Sequence, residues 1–151
     1  MQNKTKIIIS RPSEWLNRLR GYKIFMDNVE IGTIKNGATE EFLVSPGTHH
    51  IQCRMAWYSS PVFIINIEEG SIEYLSVKSG MKYYWPMVVL LFAGVIINLL
   101  YRKDHEERPL WMFILQFFLL LPSLLYMLYY LTVGRKYYLL IEEDKENIFA
   151  S

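Results

Sequence analysis

Few side chains in this chain could do chemistry, and the first to weigh is the pair His49-His50. Adjacent residues of a strand project to opposite faces, so one ion could not easily take both imidazoles, and a metal centre needs ligands that converge. The chain has a single cysteine, Cys53, and its third histidine, His105, lies beyond a long apolar stretch. The pair is therefore read as stabilising a turn, and no metal site is expected. Cys53 alternates with Ile51, Met55 and Trp57, which predicts a core thiol, raised in pKa and inert, with Trp57 in the same core. Ser10, Ser13, Ser45, Ser59 and Ser60 fall in turn-like segments without the Gly-x-Ser-x-Gly context that exposes a serine nucleophile. Asp104, His105, Glu106 and Glu107 could act as acid and base on a lipid head group, but they share a short charged connection that reads as solvated. No catalytic residue and no cofactor is expected, and the chain is read as non-enzymatic.

Recognition has better candidates. The segment Ser13-Glu14-Trp15-Leu16-Asn17-Arg18-Leu19-Arg20 sets a tryptophan beside two arginines, residue types that concentrate binding energy at interfaces. Trp15, Arg18 and Arg20 are thus a candidate interaction surface. The competing and preferred reading has Trp15 plugging one end of a β-domain, covered by an arginine stem with Glu14 pairing nearby. Tyr58, beside the turn-like Ser59-Ser60-Pro61, joins the candidates as an edge residue that either meets a partner or is satisfied at the rim of the core.

The elements that position these residues follow from alternation and turn chemistry. Residues 6–9, 22–26, 29–35, 39–44, 48–57, 62–68 and 72–77 read as strands. They are separated by Asp27-Asn28, Asn36-Gly37, Pro46-Gly47, Ser59-Ser60-Pro61 and Glu69-Gly70. The pattern predicts an all-β antiparallel sandwich or meander, with a tight hairpin at Asn36-Gly37 and a bulge at Gly32. The run Tyr22-Lys-Ile-Phe-Met-Asp-Asn-Val-Glu-Ile-Gly-Thr-Ile-Lys-Asn-Gly37, followed by Phe42-Leu-Val-Ser-Pro-Gly-Thr-His49, resembles PEGA-type domains. These are small bacterial β-sandwich modules with a strand ending in Asp-Gly, a short hairpin and a Pro-Gly-x-His turn. Asn28 stands where that pattern has glycine. Together with Ser13 to Arg18 and Trp57 to Ser60, the run is also similar to uncharacterised bacterial membrane proteins that join such a domain to a hydrophobic hairpin. The resemblance covers about half the chain and implies binding or scaffolding, with no active site to carry over.

Residues 83–101 and 110–133 are nearly uninterrupted apolar stretches, each close to the ~20 residues a helix needs to cross a hydrocarbon core. They predict a two-helix transmembrane hairpin with Trp and Tyr at its edges. No charged residue or histidine lies within either stretch, which argues against a proton relay or charged transport path. Asn98 and Gln116 are the strongly polar amides there, Ala93-Gly94 offers a small surface for close helix approach, and Pro122 is expected to kink the second helix. The chain accordingly divides into a PEGA-like domain over 1–80, the hairpin over 81–134 and a polar tail over 135–151. A stretch at 137–141 reads as either a strand or an interfacial segment.

Lys78, Lys82, Arg135, Lys136 and Lys145 flank the outer ends of the hairpin, against Arg102, Lys103 and Arg108 in its loop. Five against three puts both termini in the cytoplasm of a cell with this protein in its inner membrane. The first residues lack the apolar run of an export signal, and a formal net charge of +1 without a basic block gives nucleic acid no footing. The expected partners are the lipid bilayer and a protein or a second copy of the chain, bound by the β-domain at the membrane surface. The alternatives are a subunit of an oligomeric pore or transport complex, with Asn98, Gln116 and Pro122 lining it, and an enzyme acting on lipid head groups.

Overall fold

The structure is a computed structural model that describes residues 5–81, 84–104 and 109–144. It separates into two units, one formed by residues 1–80 with 135–151 and the other by residues 81–134.

The first unit holds nine strands among its described residues: β1 (Lys6–Ser10), β2 (Tyr22–Met26), β3 (Val29–Ile34), β4 (Thr39–Leu43), β5 (Gly47–Met55), β6 (Tyr58–Ser59), β7 (Phe63–Ile67), β8 (Ile72–Ser79) and β9 (Leu139–Glu143). One sheet has the order β4-β1-β8-β9; the other is β3-β2-β5-β6, with β7 also paired to β5. Alternation sets the core. Ile7 and Ile9 from β1, Leu75 and Val77 from β8, and Leu139 from β9 are fully buried, as are Ile24, Ile34, Ile51 and Cys53 of the other sheet. Phe42 of β4 lies against Gly32 of β3, where a Cβ would stand 2.6 Å from the ring, so a side chain at position 32 would push the Phe42 ring out of this contact between the sheets. The register shifts beside that glycine: Ile24 faces Gly32 but Phe25 faces Glu30, leaving Ile31 as the extra residue of the expected bulge.

Three features differ from the expectation of a purely antiparallel sandwich followed by a tail. β1 and β8 run parallel, with Ile9 opposite Leu75; the long connection a parallel pair requires is supplied by everything between them. Residues 139–143 are an edge strand, with Leu139 opposite Ser79 and Ile141 opposite Val77, so the chain returns from the second unit to complete the sheet. The Asn36-Gly37 turn does not close a hairpin within one sheet. Only Gly37 has positive φ (+71°), Ala38 N–H donates to the Lys35 carbonyl, and the chain crosses from β3 to β4 of the other sheet. The two-residue turn at Asp27-Asn28 does join adjacent strands, with both residues at positive φ (48° and 68°), a conformation that Asp and Asn adopt more readily than other residues with a side chain.

The second unit is two helices, α1 (Tyr84–Asp104) and α2 (Leu110–Leu131), both long and apolar enough to cross a membrane. α2 runs through Pro122 as one helix. Gly94 is buried between them: a Cβ there would stand 2.9 Å from Leu120 Cδ2. Most other apolar side chains of the pair face outward, including Phe92, Leu100 and Phe118.

Candidate functional site

The strand register of the first unit puts Ser10, Tyr22, Ile34, Met55, Ser79 and Leu139 at one end and the turns at 27–28, 44–46 and 68–71 at the other. The chain departs for α1 after Ser79 and re-enters at Tyr138, both at the first end.

That departure end is built on a buried arginine. Arg11 follows β1, and its side chain is fully enclosed. Its guanidinium lies over the Tyr22 ring, 3.5 Å from the centroid. Nη1 donates to the carbonyls of Arg20 (2.6 Å) and Ile34 (3.4 Å), and Nη2 to that of Asn17 (2.8 Å). A planar fork with five donors suits this task, because it can close several carbonyls of an irregular loop at once. Glu14 sits 3.7 Å from Nη2; one of its oxygens accepts from Tyr22 Oη and the other from the Ser79 N–H. Asn17 Nδ2 donates to Tyr22 Oη (2.9 Å), and Tyr138 Oη donates to Asn17 Oδ1 (3.2 Å). Burial, reinforced by the Glu14 carboxylate, pushes the Tyr22 phenol up; burial also raises Tyr138, opposed by its bond to Asn17. The network ties the loop to both crossing points of the chain.

The pinned loop leaves Trp15 74% exposed and Leu19 98% exposed, with Arg18 and Arg20 exposed beside them. Trp15 therefore does not plug the sandwich. Arg11, Glu14 and Asn17 do, and the carboxylate expected near Arg18 or Arg20 turns inward to Arg11. Trp57 is also corrected, from core to 61% exposed. Met55 pairs with Tyr58, so Ala56 (φ +52°) and Trp57 form the two-residue turn between β5 and β6 and the strand alternation stops before Trp57. Tyr58 is half-buried and stacks on Tyr138, ring centroids 4.1 Å apart, so of the four candidate surface residues it is the one held within the unit. Sequence reasoning missed Arg11 altogether; the Arg11-Pro12 pair looks like the start of a polar loop, and nothing local reports the ring and carbonyls around it.

At the opposite end His49 Nδ1 bonds Asp27 Oδ2 (2.7 Å), and Nε2 lies 2.9 Å from the Ser45 carbonyl and 3.5 Å from Ser45 Oγ. The hydrogen bond to Asp27, with help from the Ser45 carbonyl, raises the His49 pKa; the same contact, with the His50 N–H, lowers that of Asp27. Ser45, His49 and Asp27 have the connectivity of a nucleophile, base and orienting acid. Yet Nε2 faces a carbonyl that can only accept, so the ring is held as a donor on both sides and has no free lone pair for Ser45 Oγ. The arrangement clips the β2–β3 turn to the start of β5. His50 also approaches Asp27, 3.6 Å away, and no group of three or more His, Cys, Asp or Glu is placed to hold a metal among the described residues. Cys53 is fully buried and its thiol is pushed up to about 12 by desolvation. His105, Glu106 and Glu107 lie outside the described residues.

In the helical unit Asn98 Nδ2 donates to Gln116 Oε1 (2.9 Å), joining α1 to α2, and Ser123 Oγ donates to the Met87 carbonyl (2.9 Å). Ala93 is half-buried beside Gly94, whereas Pro122 is exposed. Ser123 carried no signal in the sequence beyond its place after Pro122. No protein-family model matches this chain, and no curated protein matches it.

Proposed function

We propose that this chain is an integral membrane protein whose two helices cross the bilayer and hold a non-enzymatic β-unit at its surface as an interaction module. The observation that carries the reading is the outward apolar surface of α1 and α2. Phe92, Leu99, Leu100, Phe117 and Phe118 are all more than half exposed, which water would penalise and lipid would not. The β-unit, by contrast, closes its own core and leaves Val29 and Leu43 exposed beside its turns, a surface suited to a partner. The resemblance to PEGA-type modules points the same way, towards a protein partner or a second copy of the chain. The bond between Asn98 and Gln116 supports an anchor more than a pore, since it uses polar groups that a water-filled lining would present to solutes.

The test is cross-linking of the full-length protein in native membranes followed by purification in detergent. The expected result is resistance to alkaline extraction and recovery with a partner or as an oligomer. A chain recovered reproducibly alone, or soluble without detergent, overturns the reading. An inner-membrane location with both termini in the cytoplasm predicts that Cys placed at Asp104 reacts with a membrane-impermeant thiol reagent from outside the membrane.

A further inference from the structure

The departure end of the β-unit differs from the opposite end in charge and in exposing two tryptophans, where the opposite end exposes Val29, Leu43 and Ile72. Trp15, Leu19 and Trp57 project from it, and they are linked through its own packing. Leu19 lies in the loop whose Asn17 bonds Tyr138, Tyr138 stacks on Tyr58, and Tyr58 stands 5.6 Å from Trp57. Arg18, Arg20 and Lys35 line a shallow open groove of about 560 Å³ beside Leu19. Among the described residues no carboxylate pairs with any of the three. The opposite end exposes Asp27, Glu68 and Glu69. Because Arg11 fixes the loop through the carbonyls of Asn17 and Arg20, Trp15 and Leu19 are presented from a structured loop.

We propose that this end of the β-unit docks on lipid: Trp15, Leu19 and Trp57 enter the interfacial layer of the bilayer, and Arg18, Arg20 and Lys35 meet the phosphates of anionic head groups. Tryptophan, leucine and arginine together are the residue set that favours that layer, where rings and alkyl groups leave water and guanidinium groups pair with phosphate. The short connection to α1 favours the encounter. Four residues separate Ser79 from Tyr84 at the start of α1, at most about 18 Å of extended chain, and Glu14 of the same loop is bonded to Ser79. The acidic opposite end then points away from the anionic surface and stays free for protein partners. The inference rests on the helices spanning the bilayer.

The experiment places one spin label at a time on the full-length protein, at Leu19→Cys, Val29→Cys or Phe118→Cys, in vesicles of phosphatidylcholine with or without phosphatidylglycerol. Buried Cys53 stays unlabelled. Collision with oxygen and with a water-soluble nickel complex reports depth. The expected result is a lipid-like ratio at Phe118 and Leu19 and a water-like ratio at Val29, on the turn at the other end. Arg18→Gln and Arg20→Gln each lower the docked fraction's equilibrium constant about fivefold in phosphatidylglycerol vesicles, and added salt does the same. A lipid-like label at Phe118 with a water-like label at Leu19 overturns the docking alone. A water-like label at Phe118 overturns the membrane-spanning reading and the docking with it.

Discussion

The two units use the same apolar residue types to opposite ends. In the β-unit Ile7, Ile24, Leu75 and Leu139 are fully buried, whereas in the helical unit Leu100 and Phe118 are mostly exposed. The β-unit carries its apolar residues at alternate positions, so each strand has one face for the other sheet and one for water. Each helix is apolar all round, so it has no polar face to turn outward once its partner helix is packed. One unit hides its apolar residues in its own core, and the other leaves most of its leucines outside any core of its own. Polar side chains differ in use as well: the β-unit buries Arg11 and Asn17 to shape a loop, and the helical unit uses Asn98, Gln116 and Ser123 to join its helices.

Breaking the β-unit at its polar hub is expected to have the largest effect. Arg11→Ala strands Glu14 and the carbonyls of Asn17 and Arg20, a loss of about 3–5 kcal/mol. Cys53 is the only cysteine in the chain, so its rate of thiol labelling in detergent reports opening of the β-unit; labelling unchanged in Arg11→Ala would show that the hub is dispensable. The apolar contrast is sharpened by a matched pair. Leu75→Ala should cost about 3 kcal/mol through the cavity it leaves and speed Cys53 labelling. Phe118→Ala, equally a loss of apolar bulk, should leave it unaltered. If both variants open the β-unit alike, the two units do not fold on separate cores. Asn98→Leu is a smaller perturbation, about 0.6 kcal/mol on average for an intramembrane hydrogen bond, read as reduced cross-linking between cysteines placed on α1 and α2.

The smallest effect is the pH response of the His49–Asp27 clip, for which the sign is definite. His49 titrates above its ordinary 6.5, so its contribution is complete below pH 6.5 and is lost as pH rises through the elevated folded value. Asp27 titrates below its ordinary 3.8, so its contribution is present above pH 3.8 and is lost as pH falls through the lowered value. The clip is therefore strongest between pH 3.8 and 6.5. Cys53 labelling, normalised to the unfolded chain at each pH, should rise between pH 6 and alkaline pH in the native protein and lose that slope in Asp27→Asn.

Residue patterns made much of this legible. Strand 22–26 was readable from Tyr22, Ile24 and Met26, the core thiol from Ile51, Cys53 and Met55, and the helices from unbroken apolar length. Trp57 shows the limit: its phase matched the strand, but a hairpin turn one residue earlier removed it from the core. Trp15 shows another, since its neighbours allowed either a plug or an exposed side chain and only the burial of Arg11 in that space excluded the plug.

Local periodicity by itself determined which segments are strands, which are long apolar helices and which face of each strand is apolar, because those properties depend on neighbours a few residues away. Tertiary structure alone decided that β1 lies parallel to β8, that residues 139–143 return as an edge strand, and that Arg11 is buried at one end. Each of those outcomes depends on partners far along the chain. Strands with the same alternation are interchangeable until the sheets assemble, and a buried cation is tolerable only where distant carbonyls, a carboxylate and an aromatic face converge on it.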